Sequence, residues 1–293
     1  MDEYVHYYAE IPLKQARKTK AIGHDSFKQA ALSGSISVSF TALQSIHVGS
    51  GVLVAPNDIQ CVSTMPLVKA FFRANKRRVI PASSIKGMLR SLVEMFTSSC
   101  TCTQHGCSDR QKDFLLCTAC RIFGALGFRG NVSIGDGRFY KPTEFAVVEI
   151  PPQYSYKKPE GGRRYYPHRL IDPRKPTWPV EAAGVGSVFK TEIEFTNLTK
   201  GEVGILLIAL GQGDWKICPK IGSGKSAGLG AVKITNLNGT TYDSAQCYVN
   251  YDIAFLPLDI AGCLAEAKTL IDESSLAKLA RDLSEESIHP RGK

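Results

Sequence analysis

No run of this sequence approaches the roughly 20 consecutive apolar residues that a membrane-spanning helix needs, so no helical crossing of a bilayer is expected. The opening residues, Met1-Asp2-Glu3-Tyr4, lack the basic and apolar regions of a secretory leader. Nine cysteines without such a leader form an odd count that suits a reducing, cytoplasmic setting, where clustered thiols serve metals rather than disulfides. Acidic residues are scarce as well. There are 27 against 36 lysines and arginines, a net charge of +9, and seven basic residues with no acid between Ile59 and Val93. That balance points to a polyanionic partner, though it speaks to partners and solubility and not to fold.

A further absence removes a tempting label. Gly224-Lys225-Ser226 supplies the last three residues of a Walker A loop, but the glycine required five positions earlier is Pro219. Gly228–Ile234 then reads as a strand, where that motif needs a helix. What is left is a glycine-dense stretch, Ile221–Ile234. Bared N–H groups beside a lysine suit a phosphate; the same composition also suits a tight turn.

At 293 residues and 43% hydrophobic content, the chain can form one large or two small domains around a substantial core. Residues 1–32 show little periodicity and read as an extension. In Ser33–Val48, Ile36, Val38, Phe40 and Ala42 alternate with Ser35, Ser37, Ser39 and Thr41, the pattern of a half-buried strand. Gly51–Ile80 reads as a loop with short extended pieces. Ser83 or Ser84 can cap a helix in which Ile85, Met88, Leu89, Leu92, Val93 and Phe96 recur at helical spacing. Lys86 and Arg90 share its polar face, and Lys86 sits in the first turn, where free N–H groups favour an anion.

Val132–Tyr140 and Phe145–Ile150 read as strands. Pro151–Glu181 is rich in proline, tyrosine and arginine, including Arg163, Arg164 and Tyr165, and reads as a long surface insertion. A strand around Phe189–Phe195, an apolar helix over Gly201–Leu210, the glycine stretch with its strand, and a last amphipathic helix over Cys263–Leu283 complete the chain. Stripped of insertions, the order is strand, helix, two strands, helix, strand. That is an α+β chain of the ferredoxin-like β-α-β-β-α-β type, in which one sheet face is a common RNA platform.

Five cysteines crowd between Cys100 and Cys120, with His105 among them. Cys117-Thr-Ala-Cys120 is a chelating pair. Zinc in structural sites takes four such ligands and leaves no open position for chemistry. The assignment is Cys102, Cys107, Cys117 and Cys120, with Cys100 or His105 as substitutes.

Three stretches occur in order: Val79-Ile-Pro-Ala-Ser-Ser-Ile-Lys-Gly-Met-Leu-Arg90, Cys117-Thr-Ala-Cys-Arg-Ile-Phe-Gly124 and Ile221-Gly-Ser-Gly-Lys-Ser-Ala-Gly-Leu-Gly-Ala-Val232. Together they resemble the RAMP superfamily of CRISPR effector proteins, in particular the guide-RNA-binding backbone subunits of type III complexes. The resemblance implies a modified RRM domain over 33–236, with a zinc-binding insertion at 99–121, a thumb-like hairpin insertion at 140–187 and a C-terminal extension over 237–293. It implies contact with guide RNA (crRNA) at Ser83, Ser84, Lys86 and Arg90 and at Gly222, Gly224, Lys225 and Gly228. Thumb residues such as Arg163, Arg164 and Tyr165 would lie near the guide–target duplex. Neighbouring effector subunits and target RNA are the other implied partners.

The chain departs from the family pattern in two places. Ala82 stands for the glycine of Pro-Gly-Ser-Ser. Aligned on Pro66, the catalytic aspartate position of target-cleaving members holds Thr64, leaving Asp58 in the same loop as the candidate for a cleavage that needs a divalent ion such as Mg2+. A guide-processing endoribonuclease would instead need a general base, for which His47 is the candidate.

Overall fold

A computed structural model of the chain describes residues 8–28, 30–101, 107, 115–141, 144–151, 162–168, 177–243, 246 and 255–288. The alternating strand forms as expected and is central: β1 (Leu32–Ala42) buries Ile36, Val38, Phe40 and Ala42. The next three central strands are β2 (Gly137–Lys141), β3 (Val188–Leu198) and β4 (Val232–Tyr242). The eight-stranded sheet runs Leu256–Pro257, β4, β1, β3, β2, Arg77–Ile80, Arg73–Ala74, with Val132–Ile134 also paired to β3. Register matches the burial pattern. Phe189 lies opposite Phe40, Thr191 opposite Val38 and Ile193 opposite Ile36, and the Phe40 and Phe189 rings stack at 4.9 Å.

The helix α1 (Ala82–Phe96) buries all of its periodic residues from Ile85 to Phe96. Its start differs from the expected serine cap. Pro81 is the N-cap and offers no side-chain bond; the carboxylate of Asp136, in the turn before β2, accepts from the Ala82 amide at 2.8 Å. A second helix, α2 (Thr118–Phe123), follows the cysteine segment.

The apolar stretch near 201–210 forms α3 (Lys200–Ala209), capped reciprocally by Thr199 and Glu202. Every residue from Gly201 to Ala209 is buried, which is why the sequence shows no polar face there. Its outer side is covered by α4 (Ile260–Ala267), and closeness depends on Gly204: a Cβ there would stand 2.0 Å from the Cys263 carbonyl oxygen. The single helix expected over Cys263–Leu283 is in fact two. After α4 the chain turns, Ile271 bridges Thr97, the Asp272 amide donates to the Phe96 carbonyl, and α5 (Glu273–Asp282) begins.

Gly51–Ile80 holds more strand than expected. Gly49–Val54 and Val68–Phe71 join Phe145–Ile150 and Trp178–Ala183 in a four-stranded sheet. Phe145–Ile150 and Trp178–Ala183 pair antiparallel from Phe145 opposite Ala183 to Ile150 opposite Trp178; the span between them lies partly outside the described residues.

The N-terminal extension is built in. Ala9–Pro12 pairs with Gly162–Tyr165, Thr19–Lys20 pairs with Leu115–Leu116, and Ile11 is in the core. Gly162–His168 is accordingly not a surface excursion: Tyr165 and His168 are buried. No helix among the described residues is long and apolar enough to cross a membrane.

Candidate metal centre and nucleic-acid interface

The turn after α1 and the start of α2 bring four thiols together. Cys100, Cys107, Cys117 and Cys120 have sulfurs all within 4.8 Å of one another. From Cys100 the separations are 3.9 Å to Cys107, 3.6 Å to Cys117 and 3.5 Å to Cys120. A zinc–sulfur bond of about 2.3 Å puts the edges of a thiolate tetrahedron at about 3.8 Å, so the spacing suits such an ion. It is far too long for a disulfide at about 2.05 Å, and none of the four is disulfide-bonded. The set can therefore hold a metal such as zinc. Among the described residues the fourth sulfur is that of Cys100, which the sequence offers as a substitute; Cys102 and His105 lie outside the described residues.

The surroundings are polar in a directed way. The Cys117 amide donates to the Cys107 sulfur at 3.3 Å, and Arg90 Nη2 reaches the Cys120 sulfur at 3.6 Å. Burial, with Cys117 and Cys100 close by, raises the Cys107 thiol to about 12. Arg121, next to Cys120, pairs with Glu202 at 2.6 Å and also reaches Thr19, tying α2 to the α3 cap and the N-terminal segment.

The α1 residues differ from one another. Ser83 is exposed, while Ser84 and Lys86 are half-buried. Lys86 Nζ donates to the Val132 carbonyl at 3.2 Å, and burial, then Arg90 and Arg129, lower its pKa. Arg90 faces inward: Nε bonds Glu94 at 2.8 Å and Nη1 bonds the Gly124 carbonyl at 3.0 Å. Glu94 is buried. It also receives Arg163 at 3.1 Å. Arg164 pairs with Glu10 at 2.8 Å, and the Tyr165 hydroxyl bonds Asp282 at 2.6 Å. The arginines and tyrosine of this segment thus knit the fold together.

In the glycine stretch, Lys225–Ala227 makes one 3-10 turn flanked by left-handed Gly224 and Gly228. Gly222 has φ +85°, and a Cβ there would stand 2.2 Å from the His47 carbonyl oxygen. Amides of Ile221, Ser223, Ala227, Leu229 and Gly230 all donate to carbonyls of the protein, so much of the loop's N–H complement is spent internally. Lys225 is half-buried, and burial, then Arg163, lowers its pKa. Lys220 is buried and bonds the carbonyls of Pro167 and Lys225; burial, then Lys225, lowers it to about 7.

His47 is 2% exposed, and its Nδ1 lies 2.6 Å from the Glu181 carbonyl oxygen; burial depresses its pKa. Buried in this way, it is closed to a substrate. Asp58 is exposed in the 3-10 turn Pro56–Ile59, and Thr64 is exposed further along the same loop.

Sequence reasoning missed Glu181, Glu94, Asp136 and Lys220. Glu181 is fully buried, bonds Arg73, Arg78 and the Phe71 amide, and is held below the usual carboxylate range because these bonds outweigh burial. A lone acid inside the apolar Pro179–Ala183 run was the available signal.

No curated protein matches the chain. Among solved structures it is similar to a chain of the type III-B Cmr-beta complex bound to cognate target RNA, studied by cryo-electron microscopy. Identity is 20% and the TM-score 0.42, over 71% of this chain and 61% of that one. This chain thus spans less than two thirds of that relative. A family model matches residues 39–233, a span that contains the helix-start, Cys-x-x-Cys and glycine-rich motifs, and on that match the chain belongs to the RAMP superfamily.

Proposed function

We propose that the chain is a guide-RNA-binding backbone subunit of a type III CRISPR ribonucleoprotein effector, acting in antiviral defence by recognising target RNA through the guide. The observation that carries this is the family match over 39–233, which encloses all three motifs in their order. The connectivity β1–α1–β2–β3–α3–β4 and the sheet order β4-β1-β3-β2 support an RRM-like core. The outer face of that sheet presents Ser35, Ser37, Lys190, Glu192 and Glu194 on β1 and β3, with the exposed Tyr140 ring of β2 lying against Lys190. RNA is better served at the helix-start and glycine-loop side, through Ser83, Ser84, Lys86 and Lys225, with the 140–187 segment as the thumb.

In this proposal zinc is structural, held by Cys100, Cys107, Cys117 and Cys120. The chain does not cut. Thr64 supplies no carboxylate, and Asp58 occupies an ordinary turn beside Asn57. The burial of His47 speaks against a processing enzyme.

The test is purification of the chain from cells that carry its natural neighbours, followed by sequencing of bound nucleic acid. A small RNA of fixed length, together with other subunits, is expected; random fragments or none would overturn the proposal. Within a reconstituted complex, Asp58→Ala should leave target cleavage unchanged, and loss of cleavage would make this chain a metal-dependent nuclease instead.

A further inference from the structure

The helix-start motif ends in Arg90, which the resemblance places on the guide. We infer that Arg90 instead serves the cysteine centre, as a positioning residue whose guanidinium offsets the charge of a bound metal–thiolate group and holds the Cys120 sulfur in place. The inference rests on the four cysteines holding a metal.

Three observations carry it. Arg90 turns Nε, Nη1 and Nη2 inward, to Glu94 at 2.8 Å, the Gly124 carbonyl at 3.0 Å and the Cys120 sulfur at 3.6 Å. Cys120 lies within the short helix α2 and Gly124 caps its C-terminal end, so one rigid fork holds both a ligand sulfur and the end of the helix that Cys117 opens. Glu94, on the same face of α1, is buried, accepts a hydrogen bond from Arg90 and forms an ion pair with Arg163.

The charge count favours such a partner. Four thiolates around a dication leave about two net negative charges in a mostly buried pocket. Uncompensated anions in such a place are strongly disfavoured, and Arg90 reaches both the Cys120 sulfur and the Glu94 carboxylate. Partners of this kind around metal ligands typically set affinity by about 10–100-fold. An arginine committed to this task contributes little to a phosphate, because its fork is already occupied.

The experiment uses full-length protein. Zinc content of the wild-type chain is measured first, and one zinc per chain is expected; none would remove the metal and the inference together. Zinc affinity is then measured by competition with a chromophoric chelator in wild type, Arg90→Ala, Arg90→Gln and Arg90→Lys. Affinity should fall about 10–100-fold for Ala and Gln and less for Lys, which keeps the charge but not the fork. In cobalt-substituted protein the thiolate-to-metal charge-transfer band should move to longer wavelength in Arg90→Ala and Arg90→Gln, because a sulfur that loses its hydrogen bond donates more readily. A variant with native circular dichroism, unchanged zinc affinity and an unmoved cobalt band would overturn the assignment. So would a loss of RNA affinity in Arg90→Gln with the metal centre unaffected.

Discussion

Arg163 Nη2 lies 3.1 Å from Glu94 Oε2, so a residue from the tyrosine- and arginine-rich segment is anchored on the buried face of α1. The second oxygen of that carboxylate belongs to Arg90. Glu94 therefore joins the first helix, the cysteine centre and the return of the 140–187 segment. Burial raises its pKa in spite of Arg163 and Arg90, as expected for a carboxyl kept in a tight, mostly dry setting.

Removing that carboxylate should be costly. Glu94→Ala leaves two guanidinium groups facing a cavity, but their side chains are 27% and 25% exposed, so water screens part of the loss. Destabilisation of about 2–4 kcal/mol is expected, somewhat below the range for a fully buried pair. Urea unfolding in saturating zinc measures it, and a change under about 0.5 kcal/mol would mean that the triad is dispensable.

The choice of metal ligands separates by single substitutions. Cys102→Ser should leave one zinc per chain, because Cys100, Cys107, Cys117 and Cys120 already form a complete set. Cys120→Ser should release the ion to a competing chelator at much lower chelator concentration. Elemental analysis of both proteins decides the point, and zinc lost from Cys102→Ser would return Cys102 to the centre.

The fold was largely legible because its two periodicities are clean. Ile36, Val38 and Phe40 announce a strand, and Ile85 through Phe96 a helix. The misses have different causes. Gly162–His168 is buried through Arg163, Arg164 and Tyr165, whose long side chains reach acids on Glu94, Glu10 and Asp282, and no apolar period betrays such a strand. The break after α4 was written as Asp272-Glu-Ser-Ser275, a helix-start signal inside an otherwise helical pattern. At the site, motif order located the cysteines and glycines. It could not tell which thiols converge, nor that the Arg90 guanidinium turns to Glu94, Gly124 and Cys120, since both depend on how α1 and α2 pack.

His168 gives the fold a defined acid sensitivity. Burial, and then the neighbouring Lys220, lower its pKa from 6.5 to about 4. Between those values the unfolded chain holds a proton that the folded chain does not, so stability falls as pH drops from about 6.5 towards 4. The contribution amounts to up to about 3 kcal/mol across the window. His168→Leu should remove it. Unfolding free energies of both proteins at pH 7.5 and 5, compared as a difference, isolate this group from other acid effects; parallel pH profiles would show that His168 does not titrate in this way.

Gly87 distinguishes a residue kept for folding from one kept for a partner. It is exposed in α1, and a Cβ built on it meets nothing within 4 Å. Glycine in such a helical position costs about 0.5–1 kcal/mol relative to alanine, so Gly87→Ala should stabilise the protein by that amount. It follows Lys86 in the helix-start motif, where bare backbone allows a polyanion to approach closely. Gly87→Ala is therefore expected to raise the unfolding midpoint while weakening RNA binding across all sequences. Lys86→Ala, by contrast, should weaken binding and also reduce the slope of log affinity against log salt by about 0.7–0.9, the change for one lost phosphate contact. If Gly87→Ala binds RNA as well as wild type and Lys86→Ala leaves the slope unchanged, the helix start is not on the RNA path.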